Sequence, residues 1–281
     1  MKKIIACLII CLFVNALQAQ DLKIPNFSST QHINQEFGLG SIDITYGRPN
    51  LKGRKIFNNI EPFGVVWRTG ANSATIIKLS DTVLLEGNKV LPGEYALFTI
   101  PGSNEWTVII NKVAKQWGAY SYDEKQDVVR FKVKPYRISP KLETFTIEFA
   151  DLNIDKGTLK LMWEHTGISI RIKADINARV IANINEMMKG ENKPYYVAAV
   201  WYYYHDQDMN KALAWMNEVE KQQPDAYNVK YWKARILLKM GNKKAAIAAA
   251  SIGLEIAQRD ENAEYIRMNK EVLREAGYAI K

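Results

Sequence analysis

The sequence predicts an α+β chain of two domains, an N-terminal antiparallel β-sandwich over residues 31–174 and an α-helical, tetratricopeptide-like array over residues 175–281. Three observations predict it. Short stretches alternating apolar and polar residues fill the first half, with Gly, Pro, Asn and Asp between most of them. After Asp175 the apolar spacing lengthens to that of helices. Within the helical half a pattern recurs at 34 residues, the period of the tetratricopeptide repeat. At 281 residues, 47% hydrophobic and 24% charged, the composition is globular and the length suits one or two domains.

Met1-Lys2-Lys3 precedes an apolar run from Ile4 to Leu17 that ends in Leu17-Gln18-Ala19-Gln20. A basic start, a short apolar stretch and a small residue at the cut match a secretory signal. Residues 1–19 are therefore expected to leave as a signal peptide, with residues 20–30 as a linker. The run is short for a membrane span of about 20 residues, and no later segment is as apolar, so no stable span is expected after cleavage. Both cysteines, Cys7 and Cys11, lie inside the signal. Ile10 precedes Cys11 and only six residues precede Cys7, so neither suits lipid attachment. The mature chain then has neither thiol nor disulfide, and a periplasmic or extracellular protein of this kind depends on its core.

Ser41–Tyr46 opens the β half with strict alternation. Similar stretches follow at Thr75–Leu79, Tyr95–Ile100, Trp106–Asn111, Val128–Val133, Thr144–Phe149, Thr158–Trp163 and Ile168–Ile172. Turn residues such as Glu86-Gly87-Asn88 and Pro101-Gly102-Ser103-Asn104 separate them. Ile176, Val180, Ile184 and Met187 then share one helical face, and helices are expected at Tyr195–Tyr204, Met209–Gln222, Tyr227–Met240, Lys243–Gln258 and Glu264–Ala276. In the 34-residue register Ala212 aligns with Ala246, Met216 with Ala250 and Val219 with Gly253.

The net charge is +8, of which Lys2 and Lys3 supply two. The remaining charges are interspersed in both halves, so a basic face for nucleic acid is not expected. His32, His165 and His205 are scattered, and no H-E-x-x-H or G-x-S-x-G occurs. Asp123, Lys125 and Asp127 fail as a calcium loop because Lys125 stands at a ligand position. No metal and no cofactor are implied.

Several strings recur in order through the β half: Tyr46-Gly47-Arg48-Pro49, Lys52-Gly53-Arg54-Lys55, Val66-Trp67-Arg68-Thr69-Gly70-Ala71-Asn72, Leu97-Phe98-Thr99-Ile100-Pro101 and Trp117-Gly118-Ala119-Tyr120. Together they resemble the domain-of-unknown-function family numbered 2911, whose members are exported proteins common in Bacteroidetes. The resemblance covers residues 31–173 and implies a compartment and a class, with no established activity. Where the family often carries Glu after Gly-Ala-Asn, this chain has Ser73.

The candidate ligand-binding residues are Arg48, Arg54, Trp67, Arg68, Asn72, Trp117, Tyr120, Tyr122 and Asp123. Arg68 offers a planar fork for an anion with Trp67 as its wall, or it pairs with Asp43 or Asp123 inside the protein. Arg48 and Arg54 sit in a cationic connection that either grips an anion or is simply solvated. Trp117, Tyr120 and Tyr122 beside Asp123 suit a sugar ring, or fill a small core under a long loop. In the helical half Trp201, Tyr204, Tyr231 and Trp232 are candidates for a groove that takes a protein partner, with packing between repeats as the alternative. The expected function is that of an exported binding or scaffold protein without catalysis, its β domain for a small or glycan-like ligand and its helices for a protein. The rivals are a hydrolase or isomerase using Asp123 or Asp43 with Arg68, and a purely structural role in an envelope complex.

Overall fold

A computed structural model describes residues 24–279, so the expected signal peptide lies outside the described residues. The chain divides into two compact units, Met1–Asp175 and Ile176–Lys281.

The first unit is a sandwich of two antiparallel sheets. Strands β1 (Ser29–Phe37), β2 (Gly40–Arg48), β3 (Ala71–Leu79), β6 (Gly93–Ile100), β7 (Trp106–Asn111) and β8 (Asp127–Val133) form the larger sheet in the order 1-2-3-6-7-8. Strands β4 (Val83–Leu85), β5 (Asn88–Val90), β9 (Tyr136–Ala150) and β10 (Lys156–Ala174) form the smaller one in the order 5-4-10-9. Alternation decides which side chains point inward: Ile42, Ile44 and Tyr46 of β2 are buried, as are Phe145, Ile147 and Trp163 of the other sheet, and Tyr46 meets Phe145 edge-on at 5.7 Å. Tyr46 fastens the layers, its hydroxyl accepting from the Ile147 N–H at 2.9 Å.

Two differences from the sequence reading have local causes. β1 begins at Ser29, inside the segment assigned to a linker, because Ser29 and Thr30 continue the ladder opposite Arg48 and Gly47. β10 is one strand where two were expected. The chain bulges at Glu164, whose φ is 56°, and the register with β9 shifts on both sides of it. Pairing resumes at Thr166, so the bulge bends the strand without ending it.

The second unit has six helices among the described residues: α1 (Asn177–Met187), α2 (Tyr195–Tyr204), α3 (Met209–Gln222), α4 (Tyr227–Lys239), α5 (Lys243–Arg259) and α6 (Ala263–Glu275). Consecutive helices pack together from α2 onward, and α4 also packs against α2 and α6. The 34-residue offset is realised at the caps: Asp208 accepts from the Asn210 and Lys211 N–H groups to start α3, and Asn242 accepts from Ala245 N–H to start α5. Ala212, Ala246, Met216 and Ala250 are fully buried at matching positions. Gly253 replaces the buried Val219 because Asn269 of α6 fills that space; an added Cβ would lie 2.6 Å from the Asn269 Oδ1.

Candidate functional site

The strings in the β half divide between the interior and the surface. Trp67 is 2% exposed. Its ring stacks on Trp163 at 5.9 Å and meets Phe145 at 5.1 Å edge-on, while its Nε1–H donates to the Gly70 carbonyl at 3.2 Å. It is part of the core and presents no wall to a ligand. Arg48 reaches across the sandwich, Nε donating to the Phe145 carbonyl at 3.1 Å and Nη2 to the Thr146 hydroxyl at 3.0 Å. Arg54 closes its own loop on the Leu51 and Asn50 carbonyls, both at 2.8 Å.

Thr69 and Gly70 between Trp67 and β3 have a structural task. Gly70 lies against Gly47, at φ 151°, and a Cβ on Gly47 would sit 2.2 Å from the Ala71 carbonyl oxygen. Only glycine permits that approach. Thr69, Thr75 and Thr99 are wholly buried beside it, and they satisfy one another: the Thr69 and Thr99 hydroxyls are 3.0 Å apart, and Thr75 donates to the Thr69 carbonyl at 2.5 Å.

Arg68 is half-buried on this turn, and its guanidinium makes no ion pair among the described residues; its buried Nε has no acceptor. The carboxyl that senses it is neither Asp43 nor Asp123. Asp43 accepts from Asn34 at 2.6 Å, and Asp123 accepts from the Lys125 N–H at 3.0 Å to start a single 3-10 turn at Glu124–Gln126. Glu61 is the neighbour instead. Burial pushes its carboxyl up to about 7, with Arg68 pulling the other way. Glu61 belongs to no motif of the sequence; its only signal there is its place among Ile60, Phe63, Val65 and Val66.

The surface site is the connection between β7 and the 3-10 turn. It packs over the outer face of the larger sheet, covering Ala74, Ala96, Phe98 and Ile109 with Ala119 and Tyr122. Tyr122 is turned inward, its ring 5.2 Å from Phe98 and its hydroxyl donating to Asp127 at 2.7 Å; burial and that acceptor raise its pKa. Trp117 and Tyr120 point the other way, 66% and 84% exposed. Their backbone is nonetheless pinned. Ser73 and Trp117 form a β-bridge, Ala74 N–H donates to the Gln116 carbonyl at 3.0 Å, and Gly118 N–H to the Asn72 carbonyl at 3.1 Å. Asn72, at φ 65°, spends its side-chain amide on the Ser28 carbonyl at 3.1 Å. Of the nine candidates, Asn72, Trp117 and Tyr120 are therefore brought to one exposed corner, with Tyr122 and Asp123 bounding the loop from which the rings project. Arg48, Arg54, Trp67 and Arg68 are held elsewhere.

In the helical unit Tyr204, Trp232 and Tyr231 do meet. Tyr203, Tyr204 and Trp232 lie 5.5 Å apart centre to centre, Trp232 is 5.2 Å from Tyr231, and Tyr231 is 5.9 Å from Tyr265 of α6. The rings run across α2, α4 and α6. Arg235 braces the run, forking onto Glu275 at 2.8 and 2.9 Å and donating to the Tyr203 hydroxyl at 3.1 Å. Trp201 stands apart, stacked on His205 at 3.8 Å and donating to Asn177 of α1 at 3.1 Å. Among the described residues no group of three His, Cys, Asp or Glu side chains could hold a metal ion.

The family model described as a protein of unknown function (DUF2911) matches residues 28–172. No curated protein and no solved structure matches the chain.

Proposed function

For a chain that belongs to the DUF2911 family of proteins of unknown function, we propose an exported binding protein without catalysis, whose β unit holds a glycan-like ligand and whose helices dock a protein. One observation carries the reading: Trp117 and Tyr120 are 66% and 84% exposed on a loop whose backbone is tied to β3. Large exposed rings on a pinned loop suit the axial C–H faces of sugars, because the rings need little ordering on binding. Asp123 at the end of the same loop leaves a carboxylate for hydroxyl groups. The export half of the proposal rests on Lys2, Lys3 and the apolar run to Leu17. On the helices, the aromatic run through Tyr204, Trp232 and Tyr231 is the surface for the protein partner.

Affinity electrophoresis of the full chain through gels containing neutral and anionic polysaccharides tests the β half. Retardation of the wild type that disappears in the Trp117→Ala/Tyr120→Ala double variant, with an unchanged melting temperature, is the expected outcome. Equal mobility of the two proteins in every gel would discard the site. Glu61 favours a second reading, an acid–base enzyme in which a carboxyl titrating at about 7 works beside Arg68. Turnover in a hydrolase screen that Glu61→Gln eliminates is the result that would establish it.

A further inference from the structure

The β unit has a second concavity, separate from the Trp117 loop, at the end of the sandwich where the β6–β7 turn meets the start of β9 and the bulge of β10. It encloses about 250 Å³. Phe57, Phe63 and Trp106 are among its apolar lining, and Arg137 and His165 are among the polar groups that line it. Two features of these groups point to a ligand. The Arg137 guanidinium is exposed and makes no ion pair or hydrogen bond among the described residues. His165 Nδ1 lies 3.2 Å from the Ile138 carbonyl, which can only accept, so Nδ1 carries the proton. Its Nε2 makes no hydrogen bond to the described residues and is not sealed from solvent. An unpartnered cation at the rim of an apolar concavity is a property of binding sites more than of cores.

We propose that this cleft binds a small monocarboxylate with an apolar body. A single guanidinium matches one carboxylate through a two-pronged hydrogen bond, and no second cation lines the cleft to balance a dianion. Phe63, 37% exposed, offers its ring to the body of the ligand. The volume is below that of pockets for drug-sized molecules, which selects a compact acid. His165 precedes Thr166, the residue of β10 paired with Arg137, so its ring lines the cleft beside the bound acid and its C–H signals report occupancy; Nε2, without a proton, takes no part in holding the carboxylate.

The test titrates the full chain with three probes, phenylacetate, its neutral isostere phenylacetamide and inorganic phosphate, by calorimetry and by NMR of the imidazole C–H signals. The chain has three histidines, so the His165 signal is assigned with one His165→Gln variant. Phenylacetate is expected to bind at least tenfold tighter than either other probe and to shift the His165 signal. Arg137→Gln, at an exposed position, is expected to reduce phenylacetate to the level of the amide, and Phe63→Ala to weaken it several-fold. The proposal is overturned if the acid and amide bind alike, if phosphate binds tightest, if Arg137→Gln retains full affinity, or if no probe binds saturably. Loss of carbohydrate retention at Trp117 leaves this prediction intact, so the two sites fail independently.

Discussion

The β unit and the helical unit treat their aromatic residues in opposite ways. In the β unit most large rings go inside: Trp67, Trp106, Trp163, Phe57 and Phe145 form one interlocked cluster between the sheets. Trp117 and Tyr120 are left outside. In the helical unit Tyr203 and Tyr204 of α2, Tyr231 and Trp232 of α4 and Tyr265 of α6 form one run of rings that stays partly exposed. The difference follows from geometry. A sandwich has an interlayer about 10 Å thick that large rings fill well, whereas tightly packed helix pairs need small residues at their contacts, here Ala212, Ala234, Ala246 and Ala250. Five of the helical rings are thereby left along one flank, while Tyr202 stays in the core.

That contrast can be broken most severely at Gly47. Adding a methyl there drives Cβ into the Ala71 backbone, so Gly47→Ala should cost about 4 kcal/mol or abolish folding of the β unit, read by denaturant unfolding. Trp67→Ala should follow at about 3–5 kcal/mol by leaving a cavity in the ring cluster. If Trp67→Ala instead left stability unchanged while removing ligand, the interior assignment of the string would be wrong.

A pH-dependent effect comes next. The Glu61 carboxyl ionises near 4.5 in the unfolded chain and at about 7 in the fold. The folded state therefore holds its proton more tightly, and this contribution to stability is full below the unfolded value and lost as pH rises through about 7. Glu61→Gln should thus match the wild type near pH 4.5 and exceed it at pH 8 by about 1–2 kcal/mol, visible as diverging urea midpoints. Parallel midpoints across that range would remove the case for an acid–base role. The mildest perturbation lies in the helices: Asp208→Ala and Asn242→Ala should each cost about 1 kcal/mol, because each side chain caps the start of a helix.

Much of this fold was legible because it rests on local periodicity. Helices α2 and α3 run over the very residues the apolar spacing indicated, and the repeated caps fall 34 positions apart. The β bulge at Glu164 was hidden because Glu164-His165-Thr166-Gly167 interrupts the apolar alternation, and only pairing with β9 keeps the strand going. The candidate site was less legible for a physical reason. Arg48, Trp67 and Arg68 carry the side chains of a binding loop, but their partners, Phe145, Thr146, Trp163 and Glu61, come from distant positions or from a segment with no period. Trp117 and Tyr120 were visible as a pair of rings, yet whether they faced in or out depended on the packing of Tyr122 and Ala119 beneath the loop. Arg137 and His165 carried no signal, since the β10 bulge that brings them to one cleft is a feature of pairing.

The most direct test replaces the seven tryptophans with 5-fluorotryptophan and follows the fluorine spectrum of the intact chain as a binding oligosaccharide is added. The account predicts that the Trp117 resonance, assigned by Trp117→Phe, moves with saturation while those of Trp67 and Trp163 stay fixed. A response at Trp67 with Trp117 unmoved would contradict it.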